Sequence, residues 1–186
     1  MNDHSVVKTV IQGEVEISGD PSVVFATLLG SCISVCMFDP LARVGGINHF
    51  LLPEGGASES GTAMRFGVNS MEMLVNGLLK AGGQRSRLVC KVFGGAAVVP
   101  SLGRIGQENI RFVTHYLVDE GIRCVSQSLG GTLARRIRIW PTTGRAQQNL
   151  VQDVQGIGKQ EVAYSRREAE AERKWATEAS SEVELF

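Results

Sequence analysis

Hydrophobic and polar positions along this chain resolve into short strands and two helices. Residues 10–17 alternate imperfectly before Gly19-Asp20-Pro21, which predicts an early strand and a turn. Residues 23–28 are apolar and partly β-branched, up to the break at Leu29-Gly30-Ser31. From Ile33 the alternation is regular, with Ile33, Val35 and Met37 on one face and Ser34, Cys36 and Phe38 on the other. Asp39-Pro40 ends that strand. Residues 44–52 predict another, stopped by Pro53-Glu54-Gly55-Gly56. After a small-residue loop, Met64, Val68, Met71, Val75 and Leu78 recur at helical steps until Ala81-Gly82-Gly83. A strand over 88–93 runs into Gly94-Gly95. Ile110, Val113, Leu117 and Val118 mark a helix over 109–120, closed by Gly121. Strands over 122–126 and 136–140, with Gly130-Gly131 between them, and a short one over 150–154 complete the pattern. Strands, helix, strand, helix, strands is the order of an α+β, single-domain layered fold rather than a doubly wound parallel sheet.

Composition narrows the class. The chain has 186 residues, 43% hydrophobic and 20% charged, enough to bury a core without staples. Nineteen basic and nineteen acidic side chains cancel, which argues against a dedicated binder of nucleic acid or anionic membrane. The charge is unevenly placed. Residues 1–150 hold fourteen basic and eleven acidic side chains, whereas residues 151–186 hold five and eight. The break predicts a globular domain over 1–158 and a charged tail over 159–186, helical or disordered, whose final Val183-Glu184-Leu185-Phe186 has the character of a docking peptide. The N-terminus lacks the basic start and apolar run of a secretory signal, and no stretch approaches a membrane span. A cytoplasmic protein with reduced thiols is expected.

Few side chains here can act as nucleophile or base near neutral pH. His4 lies at the N-terminus, and His115 falls beside the core row of its helix, at a surface or boundary position. His49 stands inside the apolar strand Ile47-Asn48-His49-Phe50-Leu51, where an imidazole has no packing advantage. Cys32 follows Leu-Gly-Ser at a strand start, an exposed corner where backbone N–H groups converge and a thiol can be activated by a nearby base. Packing explains both residues as well: a core histidine with satisfied nitrogens, and a cysteine serving as a small hydrophobe. Cys36, Cys90 and Cys124 read as core strand residues. A metal site would need Cys32, Cys36, His49 and a fourth ligand that the sequence does not supply, so no metal or other cofactor is expected. Asn48 alternates to the opposite face from His49 and reads as structural, and the paired glycines read as tight turns that also permit close backbone approach.

Two blocks, Leu29-Gly30-Ser31-Cys32-Ile33-Ser34-Val35-Cys36 and Gly45-Gly46-Ile47-Asn48-His49-Phe50-Leu51-Leu52-Pro53, resemble the CheD family of chemoreceptor glutamine deamidases. Later stretches agree, among them Lys91-Val92-Phe93-Gly94-Gly95-Ala96, Ile105-Gly106-Gln107-Glu108-Asn109, Leu129-Gly130-Gly131 and Pro141-Thr142-Thr143-Gly144. The resemblance covers residues 10–154. It implies a layered α/β/β sandwich like the catalytic domain of deamidating toxins. It also implies a protein-glutamine glutaminase in which a cysteine, a histidine and a threonine act, mapping to Cys32, His49 and Thr27. Some members carry the threonine six residues before the cysteine, where this chain has Ala26, with Thr27 five before. Backbone at Gly30 and Ser31 would then line the oxyanion pocket, with Ser31 chiefly completing the turn. The implied substrates are glutamines of methyl-accepting chemotaxis receptors, and glutamate methyl esters would pass through the same thioester.

Two rival readings accompany it. One is a non-enzymatic adaptor that binds receptors or a CheC-type phosphatase, a role that needs neither Cys32 nor His49. The other is a redox-sensing thiol at Cys32 with Cys36 as its resolving partner.

Overall fold

A computed structural model of the chain describes residues 5–52, 61–99 and 103–152, together with the isolated positions 156, 163, 167 and 170. Among the described residues the strands are β1 (Val6–Thr9), β2 (Val15–Ser18), β3 (Val23–Leu29), β4 (Ile33–Asp39), β5 (Val44–Asn48), β6 (Val89–Gly94), β7 (Arg123–Leu129), β8 (Ala134–Trp140) and β9 (Arg145–Val151). Helix α1 (Gly61–Lys80) lies between β5 and β6, and α2 (Gly103–Asp119) between β6 and β7. One sheet has the order β1-β3-β8-β9 and the other β2-β5-β4-β6-β7.

β4 shows why these elements stack in three layers. It is buried at every position, because its two faces meet different partners. Ile33, Val35 and Met37 pack with Met71, Leu74, Val75 and Leu78 of α1 and with Phe112 and Val113 of α2. Cys36 faces the other way. Together with Cys32, Ile47, Leu51 and Phe93, it packs against Phe25, Leu29, Ile137 and Ile139 of the four-stranded sheet. Helices, five-stranded sheet and four-stranded sheet therefore form an α/β/β sandwich, the layering that the family resemblance implies and that suits the α+β order of elements.

Details differ from the pattern in instructive ways. Of the strand expected over 10–17 only residues 15–17 are strand, in β2; residues 10–14 are the turn that leads from β1, which precedes the expected segment, into the other sheet. The imperfect alternation over 10–17 reflects that turn. Helix α2 begins six residues before the expected 109, and Val118 is 73% exposed rather than part of the core row. Cys124, expected inside, is exposed because β7 is an edge strand. His4, the loop after Leu52 and the whole tail over 159–186 except positions 163, 167 and 170 lie outside the described residues, and with them the terminal docking peptide. Among the described residues, no helix is long and apolar enough to cross a membrane.

One buried charge ties the end of β4 to the approach of β6. The Asp39 carboxylate accepts backbone N–H bonds from Leu41, Ala42 and Gln84 at 2.9, 3.1 and 2.9 Å. It also takes the Arg87 guanidinium, with Nη2 to Oδ2 at 2.7 Å. Arg87, then these N–H donors, hold the carboxyl well below the usual carboxylate range against the opposing effect of burial. A depressed folded-state value means stabilisation that is complete above the unfolded value of about 3.9 and declines as pH falls below it. Replacing Arg87 by Ala is expected to lower the thermal midpoint at pH 7 by roughly 5 °C. The gap between variant and wild type should narrow below about pH 4, which melting curves across pH 2–8 would measure.

Candidate active site

The backbone over residues 30–32 is held by three successive carbonyls. Gly30 O accepts from Ala96 N at 2.8 Å, Ser31 O from Asn109 Nδ2 at 2.9 Å, and Cys32 O from Gly95 N at 2.8 Å. Ile33 and Phe50 then exchange a pair of backbone bonds, each 2.9 Å. Gly94 sits against the cysteine with φ +118, where a Cβ would collide with Cys32 O. The glycine pair there serves close approach to the cysteine as well as the turn. Ser31 is fully buried in this corner.

Strand register brings the histidine to the same face. Ile33 opposes Phe50 and Cys36 opposes Ile47 in an antiparallel ladder, so Ser34 lies opposite His49 and Cys32 opposite Leu51. Cys32 and His49 are thus diagonal neighbours on the face turned toward the other sheet, a relation that spans about 7–8 Å between backbones and lies within reach of longer side chains. Thr27, on β3 of the other sheet, meets the imidazole across the interface, with Oγ1 at 2.9 Å from His49 Nδ1. Thr27 Oγ1 also donates to Val10 O at 2.8 Å, and that carbonyl lies 3.4 Å from Nδ1. A carbonyl only accepts, so with the Thr27 proton on Val10 O, Nδ1 would be the protonated nitrogen and Nε2 would keep the lone pair. Ala26, beside Thr27 and alternating to the other face of β3, has no part in this contact. Asn48 turns to α1, as alternation predicts. Its Oδ1 accepts from Val35 N at 2.8 Å and its Nδ2 reaches Ser70 Oγ at 3.2 Å.

His49 has a second diagonal cysteine neighbour, Cys36. Burial pushes that thiol up to about 12, so it stays protonated at neutral pH. Burial likewise raises Cys90. Cys36 also lies four residues along the strand from Cys32, about 13 Å. A disulfide needs Cα atoms within about 7 Å, so Cys36 cannot resolve an oxidised Cys32. Among the described residues, no group of three or more His, Cys, Asp or Glu is placed to hold a metal ion.

The cysteine is not exposed as its corner position suggests. Cys32 is fully buried, His49 is 5% exposed and Thr27 4%. The site lies between two sheets, so side chains from both close over it. It is not sealed in hydrocarbon, however: the Cys32 thiol donates to Gln12 Oε1 at 3.3 Å.

Two positions escaped the sequence reading. Asn109 is a fully buried amide that donates to Ser31 O and accepts from Leu52 N at 2.9 Å, joining the cysteine corner to the strand of His49. Its signal is a polar residue on the buried row of Ile105, Phe112, Val113 and Tyr116. Gln12 sits in the turn that the pattern merged into a strand, and nothing local marked it. His115 lines a separate groove over α2, with Leu52, Met64, Phe112, Arg104 and Arg111, on the helix side of the five-stranded sheet.

The family model described as CheD chemotactic sensory transduction matches residues 51–150, beginning just after His49. Relatives extend the match upstream. A Cereibacter sphaeroides protein named probable chemoreceptor glutamine deamidase CheD is 55% identical over 139 residues, 75% of this chain and 69% of its own. A Ruegeria protein, probable chemoreceptor glutamine deamidase CheD 1, is 47% identical over 96% of this chain and 94% of its own, a span that includes positions 32 and 49. An Agrobacterium fabrum protein with the first name is 50% identical over 75% of this chain and 77% of its own. Among solved structures, the Neisseria meningitidis protein NMB0706 is a distant likeness, with a TM-score of 0.47 and 9% identity over 69% of this chain and 65% of that one. With a family match over more than half its length and relatives at about half identity along most of both chains, this chain belongs to the CheD family.

Proposed function

We propose that this protein is a chemoreceptor glutamine deamidase in which Cys32 is the nucleophile, His49 the proton shuttle and Thr27 the residue that positions the imidazole. The observation that carries this reading is the Thr27–His49 hydrogen bond, formed on the sheet face that also bears Cys32. It leaves Nε2 as the basic nitrogen. Names of the relatives, which describe deamidation of chemoreceptor glutamine, support the substrate.

The chemistry follows from what an amide requires. A carboxamide is a poor electrophile, and ammonia departs only when protonated. His49 Nε2 takes the Cys32 proton as sulfur attacks the glutamine side-chain carbon. The corner at Gly30 and Ser31, fixed through its anchored carbonyls, is the backbone that would line the developing oxyanion. The imidazolium then protonates the leaving nitrogen, the C–N bond breaks, and a thioester remains. Water, deprotonated by Nε2, attacks that thioester and restores the thiol, giving glutamate and ammonia. A glutamate methyl ester would enter the same sequence with methanol as leaving group. A purely binding role, on receptors or on a CheC-type phosphatase, would leave the Thr27–His49–Cys32 arrangement without use and is the weaker reading.

The test is ammonia release from a receptor cytoplasmic fragment, with a gain of about one dalton at each converted glutamine. Cys32→Ala should abolish both, and full activity in that variant would sink the assignment. His49→Ala should lower kcat about 10³-fold in a protein that still folds by circular dichroism. Thr27→Val should lower kcat roughly 10-fold to 100-fold with little change in KM, while Thr27→Ser should restore most of it.

Asn109 is expected to act through the corner it holds. Asn109→Asp keeps the acceptor for Leu52 N but loses the donor to Ser31 O, so kcat should fall about tenfold with KM nearly constant. Equal losses in kcat and thermal stability for Asn109→Asp and Asn109→Ala would instead indicate packing alone.

A further inference from the structure

The turn over residues 10–14 joins the two sheets directly across the cysteine and histidine. Val10 O receives the Thr27 hydroxyl, Gly13 N donates to His49 O at 2.7 Å, and His49 N donates to Glu14 O at 3.1 Å. Between these anchors stands Gln12, half-buried, with its side chain turned inward to the Cys32 thiol. Its side chain is a primary carboxamide, the same group that the proposed reaction consumes. Oε1 accepts from Cys32 Sγ at 3.3 Å, while Nε2 is buried and has no hydrogen-bond partner among the described residues.

We infer that Gln12 is a tethered substrate analogue: its carboxamide fills the place of the receptor glutamine's carboxamide on Cys32, and turnover requires it to withdraw. This inference rests on the deamidase reading. Three features support it. The nucleophile is fully buried while Gln12 lies on it, so an entering side chain needs something to leave. Backbone on either side of Gln12 is pinned, so the movable part is its side chain, at the apex of a turn where neighbouring Ile11 is 60% exposed. The buried, unpaired Nε2 disfavours the occupied state, so the occupant is poised to exchange rather than locked. The contact is a hydrogen bond to oxygen, not an approach to carbon, so the arrangement covers the thiol without consuming Gln12.

Alkylation of the intact protein by iodoacetamide, followed peptide by peptide, tests this without a receptor. Cys124, exposed on β7, supplies an internal reference rate. Gln12→Ala should speed alkylation of Cys32 roughly tenfold relative to Cys124 and lower KM for a receptor fragment by a similar factor. Gln12→Glu should slow it below wild type, because a carboxylate of the same shape fills the space and disfavours the thiolate. Equal rates in all three proteins, or a shift in one direction for both variants, would overturn the inference, the latter by showing only a loosened turn. Unresponsive alkylation in an active deamidase would remove the occlusion and leave the proposed function standing. A response to Gln12 in a protein that releases no ammonia from any receptor would overturn the substrate reading itself.

Discussion

The antiparallel register between β4 and the strand carrying His49 is the constraint on which everything else depends. Side chains alternate across a sheet with a period of two, so a slip of one residue would carry His49 to the helix side and leave Cys32 facing the other sheet. The reciprocal bonds of Ile33 and Phe50, with Cys36 opposite Ile47 further along, exclude that slip. The two cores hold it as well. Ile33, Val35 and Phe50 belong with the helices, and Cys32, Cys36 and Leu51 with the four-stranded sheet, so a shifted register would expose neither set to its partners.

Given that register, the site is assembled from parts of the chain that share no local signal. The residue before β4 supplies the sulfur and the residue after β5 the imidazole, β3 of the opposite sheet supplies the hydroxyl, and the 10–14 turn supplies a carbonyl beside them. Helix α2 reaches in from the other side of the five-stranded sheet through Asn109 and fixes the cysteine corner. A buried location suits this chemistry, since fixed dipoles act more strongly away from water. It also imposes a cost, because a thiol closed between two sheets meets another molecule only if a neighbour moves; the Gln12 side chain is in contact with it.

Legibility followed the distance over which each signal acts. The alternation of Ile33, Val35 and Met37 against Ser34 and Cys36 was readable because both faces of β4 meet packed layers, and α1 was readable from its apolar stripe. Cys124 misled because an apolar setting does not distinguish a central strand from an edge one. The 10–17 segment misled because the turn over 10–14 carries apolar residues that run on in sequence into β2. Within the site, Cys32 and His49 stood out as reactive groups among apolar neighbours. Sequence spacing left Thr27 one position from the family's pattern; alternation along β3 turns Thr27, not Ala26, toward the imidazole.

The amino-acid sequence by itself determined most of the elements, their layered class, the membership that its motif blocks announced and the candidacy of Cys32 and His49, since these rest on periodicity and residue chemistry along the chain. Only the tertiary structure decided that the Thr27 hydroxyl meets His49 Nδ1, that the thiol is buried, that Cys36 stands too far along the strand to partner it, and that Gln12 and Asn109 contact the cysteine segment. Those properties arise where segments distant in sequence exchange hydrogen bonds across a sheet interface, and no local pattern encodes which donor meets which acceptor there.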